Sequence, residues 1–281
     1  MGIRFIALDI DGTLLNSKFE VSVGNRLMIA EATRRGIEVA LVTGRRYDFA
    51  MPVAQQIEAP LTMIVSNGAL VRTTDGVTRL RHLLPRETAR SVLTATEAWR
   101  EASAVIFDRP EENQVMLQVI DWNDPIRGGY YRRNREFLAE AMPLESCLTE
   151  DPIQVLYTGT VGRIREAERV LRGVPFAGEF ALASTVYEER DFSMLDVVKA
   201  GVTKGATLAE WTAARGVRPE EILAVGDNHN DLEMLSFAGV PVVMGNGVAE
   251  LKRRGWHITG SNNEDGVAEA IMRFALQESG E

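Results

Sequence analysis

The stretch 3–8, apolar apart from Arg4, ends abruptly on Asp9 and a glycine-containing turn, Asp9-Ile10-Asp11-Gly12. A run of this kind, without polar alternation, fits a strand buried on both faces, as in a parallel sheet covered by helices. The pattern then repeats. Residues 23–35 read as a helix stopped by Gly36, and residues 37–42 as a second buried strand halted by Thr43-Gly44-Arg45. A helix over 46–57 leads to a third strand, 62–65, ended by Ser66-Asn67-Gly68. Strands alternating with helices in this order predict a doubly wound parallel α/β sheet.

The alternation breaks near residue 83. From there the strand candidates alternate in polarity or pair as hairpins, at 105–107, 115–120, 153–157 and 180–188, with helices expected at 86–101 and 161–172 and a third around 130–141. Parallel character returns with a helix at 204–214, a strand at 222–225, a helix near 230–237, a strand at 240–244 and a final helix over 265–277. At 281 residues the chain exceeds one ordinary core. The parse is therefore a Rossmann-like core made of residues 1–82 and 194–281, interrupted by an α+β insert over 83–193.

Composition narrows the function classes. With 45% apolar and 25% charged residues the chain is globular, and its net charge of -9 disfavours a nucleic-acid or anionic-membrane partner. No apolar run approaches the roughly 20 residues a spanning helix needs, so no membrane partner is expected either. A single cysteine, Cys147, cannot form an internal disulfide, and a cytoplasmic setting is the expectation. The oligomeric state is not legible.

In open parallel sheets ligands bind at the carboxyl ends of the strands. Asp9, Asp11, Thr43, Ser66 and Asp227 all follow such strands, and Lys204 opens a helix in the same layer. Several carboxylates brought together repel one another unless a cation sits among them. Hard oxygen donors without a His or Cys cluster favour Mg²⁺. Magnesium plus phosphate is the chemistry this set of residues suits.

Asp9-Ile10-Asp11-Gly12-Thr13-Leu14-Leu15 resembles the first signature of the haloacid dehalogenase (HAD) superfamily of phosphotransferases. Thr43-Gly44-Arg45 resembles its second motif, Lys204 within Val202-Thr203-Lys204-Gly205 its third, and Gly226-Asp227-Asn228-His229-Asn230-Asp231 its fourth. Ser66-Asn67-Gly68-Ala69 and Glu264-Asp265-Gly266-Val267-Ala268, with an insert between the second and third motifs, resemble the Cof-type branch, whose members carry an α/β cap at that place. The resemblance implies a Mg²⁺-dependent phosphatase acting on a small phosphorylated metabolite, a sugar phosphate or a phosphorylated cofactor, with the insert selecting the substrate.

It also implies roles. A carboxylate attacks an anionic phosphate ester poorly without a bridging cation and fixed in-line geometry. Asp9 is then the candidate nucleophile, forming an aspartyl phosphate, and Asp11 the general acid and base. By resemblance the metal is held by the Asp9 carboxylate, the Asp11 backbone carbonyl and Asp227, with Asp231 in support. Thr43, Gly44, Lys204 and Asn230 would face phosphate or substrate. A phosphomutase, or a phosphatase dedicated to one glycosyl phosphate, is the neighbouring enzyme reading. A haloalkanoic-acid dehalogenase needs neither the second Asp nor the metal. A signalling receiver also stores an aspartyl phosphate on an α/β sheet, but it has no carboxylate two residues after the acceptor and no cap.

Other residues invite blander readings. Cys147 has no evident partner for nucleophilic chemistry, and Asn228 stands where this branch often has Ser. His229 lies inside the fourth motif but at a variable place, and His82 and His257 have no suggestive company. Arg127, Arg132, Arg133 and Arg135 read better as a solvated face than as an anion site. Arg45 could contact phosphate or serve at the surface.

Overall fold

A computed structural model of the chain describes residues 2–110, 112–125 and 127–277. The first strand, β1 (Phe5–Leu8), has every residue fully buried, and helix α1 (Val23–Arg34) follows it. The Ser22 hydroxyl caps that helix by accepting from the Asn25 amide at 3.1 Å, and Gly36 takes φ +81° just beyond its end. Strand β2 (Glu38–Val42), helix α2 (Tyr47–Ala54) and strand β3 (Thr62–Val65) continue the series. An antiparallel hairpin, β4 (Leu70–Thr73) and β5 (Thr78–Arg81), extends the sheet beyond what the α/β alternation predicts.

The chain then enters a second unit. It contains α3 (Arg86–Ala95), β6 (Ser103–Ile106), β7 (Val115–Leu117), α4 (Gly128–Arg133), β8 (Leu138–Glu140), β9 (Gln154–Gly159), α5 (Val161–Arg172), β10 (Phe180–Tyr187) and β11 (Phe192–Lys199). Its sheet runs β10-β11-β9-β6-β7-β8, and one face packs α3 and α5 over a core that includes Val92, Val155, Tyr157, Ile164, Leu171 and Leu195. The return to the first unit brings α6 (Lys204–Ala213), β12 (Ile222–Gly226), α7 (Leu232–Phe237), β13 (Val240–Val243), α8 (Ala249–Lys252), β14 (His257–Ile258) and α9 (Gly266–Ile271). Its sheet has the order β14-β13-β12-β1-β2-β3-β4-β5, parallel from β14 through β3.

The two units are Met1–Arg81 with Thr203–Glu281, and His82–Val202. The second junction therefore falls later than the expected 193/194. β11 pairs antiparallel with both β10 and β9, so residues up to Lys199 belong to the inserted sheet. The turn into β11 contains no glycine; Asp191 supplies the left-handed residue at φ +42°, so the usual turn signal is missing. The helix expected over 130–141 is also shorter than its pattern: α4 ends at Arg133 and the chain is extended again by Leu138, where β8 pairs in parallel with β7.

β1 lies between β12 and β2, with Phe5 opposite both Ile222 and Glu38. This register brings the residues after β1, β2, β3 and β12 to one edge of one sheet. Truncating a fully buried member such as Ile6 to Ala would cost about 2–5 kcal/mol, because β1 has helix-covered neighbours on both faces.

Candidate active site

Asp9 follows β1 directly, and its backbone N–H donates to the Val225 carbonyl of β12 at 3.0 Å, which ties the two strand ends together. Asp227 follows β12. The Thr203 hydroxyl caps α6 by accepting from the Ala206 amide, so Lys204 is the first residue of that helix. Its ammonium donates to Asp9 Oδ1 and to Asp231 Oδ1, each at 2.6 Å. The second oxygen of Asp231 accepts the backbone N–H groups of Asp227 and Asn228, at 2.9 and 3.0 Å. Asp231 thus pins the loop after β12 while holding the lysine.

Four charged side chains are buried here: Asp9 is 4% exposed, Asp227 7%, Asp231 0% and Lys204 1%. Carboxylate oxygens of Asp9, Asp227 and Asp231 lie within 4.8 Å of one another. With all three carboxylates ionised against one ammonium, the cluster would carry two uncompensated negative charges. Burial, followed by the Asp231 charge, pushes Asp9 up to about 7 despite the lysine. Burial and then Asp9 raise Asp227 well above its usual range, although the Thr13 hydroxyl donates to Asp227 Oδ1 at 3.1 Å. Burial works to lower Lys204, but its partners Asp231 and Asp9 outweigh it and hold the ammonium above its ordinary value. A deficit of two charges among hard oxygen donors is what a divalent cation fits. Gly12 makes this closeness sterically feasible: it takes φ +83°, and a Cβ there would lie 2.3 Å from Asp227 Oδ2.

Asp11 sits apart from the buried cluster. Arg45 holds it through two hydrogen bonds, and the same guanidinium donates to the Phe49 carbonyl at 3.1 Å. Thr43 is buried after β2, its hydroxyl accepting from the Arg45 amide at 3.1 Å. Gly44 packs against Asn67, whose Oδ1 accepts from Asn230 Nδ2 at 3.3 Å. The residues singled out from the sequence therefore form two linked groups: Asp9, Asp227, Asp231 and Lys204 around the charge cluster, and Thr43, Gly44 and Asn230 joined through Asn67.

Sequence reasoning assigned no role to Asn67, Thr13 or Asn246, the last of which donates to the Gly12 carbonyl at 2.7 Å. Asn67 stood in a motif noted only as a branch marker; a non-glycine residue beside Gly after a buried strand is the signal that could have found it. His229 faces Glu250, 3.3 Å away, and His257 packs on Phe274. Cys147 is buried in the inserted core, where burial pushes its thiol up to about 11. Arg127 pairs with Asp124, Arg132 donates to the Trp122 carbonyl and Arg135 lies over the Trp122 ring. No helix among the described residues is long and apolar enough to cross a membrane.

The chain is similar to known proteins. The chain is 29% identical to the 5-amino-6-(5-phospho-D-ribitylamino)uracil phosphatase YitU of Bacillus subtilis, over 96% of each protein. It is 29% identical to the chloroplastic endoribonuclease YBEY of Arabidopsis thaliana over 97% of this chain, but it spans only 46% of that protein's length. The solved structure of a haloacid dehalogenase-like hydrolase from Bacteroides thetaiotaomicron superposes with a TM-score of 0.78 at 28% identity, covering 96% of this chain and 99% of that one. The family model described as haloacid dehalogenase-like hydrolase matches residues 6–271, from β1 to the end of α9, and sets aside the receiver reading. With its strand-end motifs in family order, the chain belongs to the haloacid dehalogenase-like hydrolases, in their Cof-type branch.

Proposed function

We propose that the protein is a Mg²⁺-dependent phosphatase that hydrolyses a small phosphorylated metabolite through an aspartyl phosphate on Asp9. The observation that carries this reading is the Lys204 ammonium, 2.6 Å from both Asp9 and Asp231 in a buried cluster of three aspartates whose carboxylate oxygens lie within 4.8 Å of one another. A lysine so placed orients Asp9 through Oδ1 and keeps a positive charge beside the position of the incoming phosphoryl group.

Asp9, Asp227 and the Asp11 backbone carbonyl would hold magnesium, with Asp231 behind them. Bound there, the ion would favour the ionised carboxylates and draw charge from the phosphoryl oxygens. Asp9 then attacks phosphorus and the bond from phosphorus to the ester oxygen breaks, the departing alcohol taking a proton from Asp11. In the second half a water gives its proton back to Asp11 and attacks the phosphorus, releasing inorganic phosphate and restoring the Asp9 carboxylate. Thr43, the Gly44 N–H, Lys204 and Asn230 serve the phosphoryl oxygens.

The substrate class, a phosphorylated sugar, polyol or cofactor fragment, accords with the phosphoribityl compound in the name of YitU. The inserted unit is the part we assign to substrate selection, and the cytoplasm is the setting we assign to the reaction. A panel of phosphorylated metabolites, read by inorganic phosphate release with magnesium and with excess EDTA, tests the proposal. Release that depends on the metal is expected. Phosphate returned to a sugar rather than to water would point to a mutase, and no turnover of any phosphomonoester would overturn the reading.

A further inference from the structure

The Ser66-Asn67-Gly68 turn after β3 is costly in conformation and central in its contacts. All three residues have positive φ, 51°, 54° and 101°, and Ser66 and Asn67 are 0% and 1% exposed. Asn tolerates this region better than other non-glycine residues, and here its side chain is buried and placed against two other segments. The turn reaches the three segments that carry the phosphate-facing groups. The Ser66 and Asn67 amides donate to the Arg45 and Thr43 carbonyls at 2.8 and 3.0 Å, which fixes the loop after β2. The Gly68 carbonyl accepts from the Thr207 hydroxyl of α6 at 2.8 Å, and a Cβ on Gly68 would lie 2.5 Å from the Thr203 carbonyl, so the turn sits hard against the helix start that bears Lys204. The Asn67 side chain meets the remaining pair: its Oδ1 accepts from Asn230 Nδ2 at 3.3 Å and lies 3.1 Å from where a Cβ on Gly44 would be.

We infer that Asn67 is a positioning residue: its carboxamide, packed between Gly44 and Asn230, sets the spacing of the two groups that the phosphoryl oxygens meet. The inference rests on reading this edge of the sheet as a phosphoryl site. The left-handed backbone aims the side chain across the strand ends, which no extended residue at that position would do. Gly44 has no side chain to obstruct this contact, and the Asn230 amide is held by the same oxygen.

The test is a double-mutant cycle of Asn67→Gly and Asn230→Ala. Glycine suits φ +54° and adds no atoms, so Asn67→Gly should fold with one cooperative thermal transition. Displacing two contact groups should lower kcat for p-nitrophenyl phosphate by about 10- to 100-fold, with KM changed by less than about threefold. In the Asn230→Ala background the same substitution should cost clearly less than in wild type, because only Gly44 is then left to position. Orthovanadate affinity in the presence of magnesium, measured by calorimetry, gives a second cycle that needs no turnover. Multiplying effects in the cycles, or Asn67→Gly with wild-type kcat, would overturn the assignment. A wild-type protein without phosphatase activity but with the coupled vanadate cycle would defeat the proposed activity and uphold the role of Asn67.

Discussion

Arg45 grips both oxygens of Asp11, Nε to Oδ2 at 2.7 Å and Nη2 to Oδ1 at 2.6 Å. A fork of this kind fixes the orientation of a carboxylate as well as its charge. In the proposed mechanism Asp11 must leave this fork to carry a proton to the leaving-group oxygen, so the arginine sets the resting orientation of the carboxylate between turnovers. Arg45→Lys keeps the charge but loses the second bond. We expect kcat to fall by about tenfold with KM nearly unchanged, as for a group used after substrate is bound. Unaltered steady-state kinetics would show that the pair does not serve turnover.

The buried carboxylates give the metal-free protein a defined pH dependence. Asp9 sits near 7 against an ordinary value of 3.8, so between those limits the folded state binds more protons than the unfolded one. Stability without metal therefore falls as pH rises through that window, and Asp227, also raised, acts in the same direction. A cation needs the deprotonated forms, so its stabilising effect grows with pH. Thermal unfolding with magnesium and with EDTA, from about pH 5 to about pH 8, should show the gap in midpoints widening by roughly 2–4 °C per kcal/mol of linkage. A constant gap would contradict the assignment of these carboxylates to the metal.

Lys204→Met removes the one ammonium in the cluster. Leaving buried carboxylates without their partner should destabilise the metal-free protein by about 3–5 kcal/mol near neutral pH. The deficit should shrink in acid, where the raised carboxylates take up protons. Urea unfolding at two pH values checks both statements.

Gly12→Ala places a Cβ 2.3 Å from Asp227 Oδ2 on a backbone with φ +83°. Backbone strain alone should cost about 1–3 kcal/mol. Because Asp227 must also move, activity should fall further than the melting temperature suggests. A variant that lost stability but kept full kcat would show that the position of Asp227 is not critical.

Much of this site was legible because the sheet is parallel. Asp9, Thr43 and Asp227 each end an apolar run, and parallel register alone brings such ends to one edge. Side-chain pairings were not legible in the same way. Arg45 follows Asp11 by 34 residues and Asn230 follows Asn67 by 163, distances at which no periodicity constrains contact. The edge hairpin of β4 and β5 and the late strand β11 were missed for a local reason. β11 follows a charged turn whose left-handed residue is Asp191, and its sequence, with Ser193 and Asp196 among apolar residues, resembles neither a buried run nor a clean alternation.

In the proposed mechanism Asp9 attacks phosphorus with the help of a bound divalent cation. Hydrolysis of p-nitrophenyl phosphate by wild type and Asp9→Asn, each with magnesium and with excess EDTA, tests it most directly. Loss of at least about 10³-fold in kcat on the substitution, and a comparable loss on chelation of the wild type, are expected for a nucleophile and its metal. Equal rates for Asp9→Asn and wild type, or equal rates in EDTA, would contradict the mechanism.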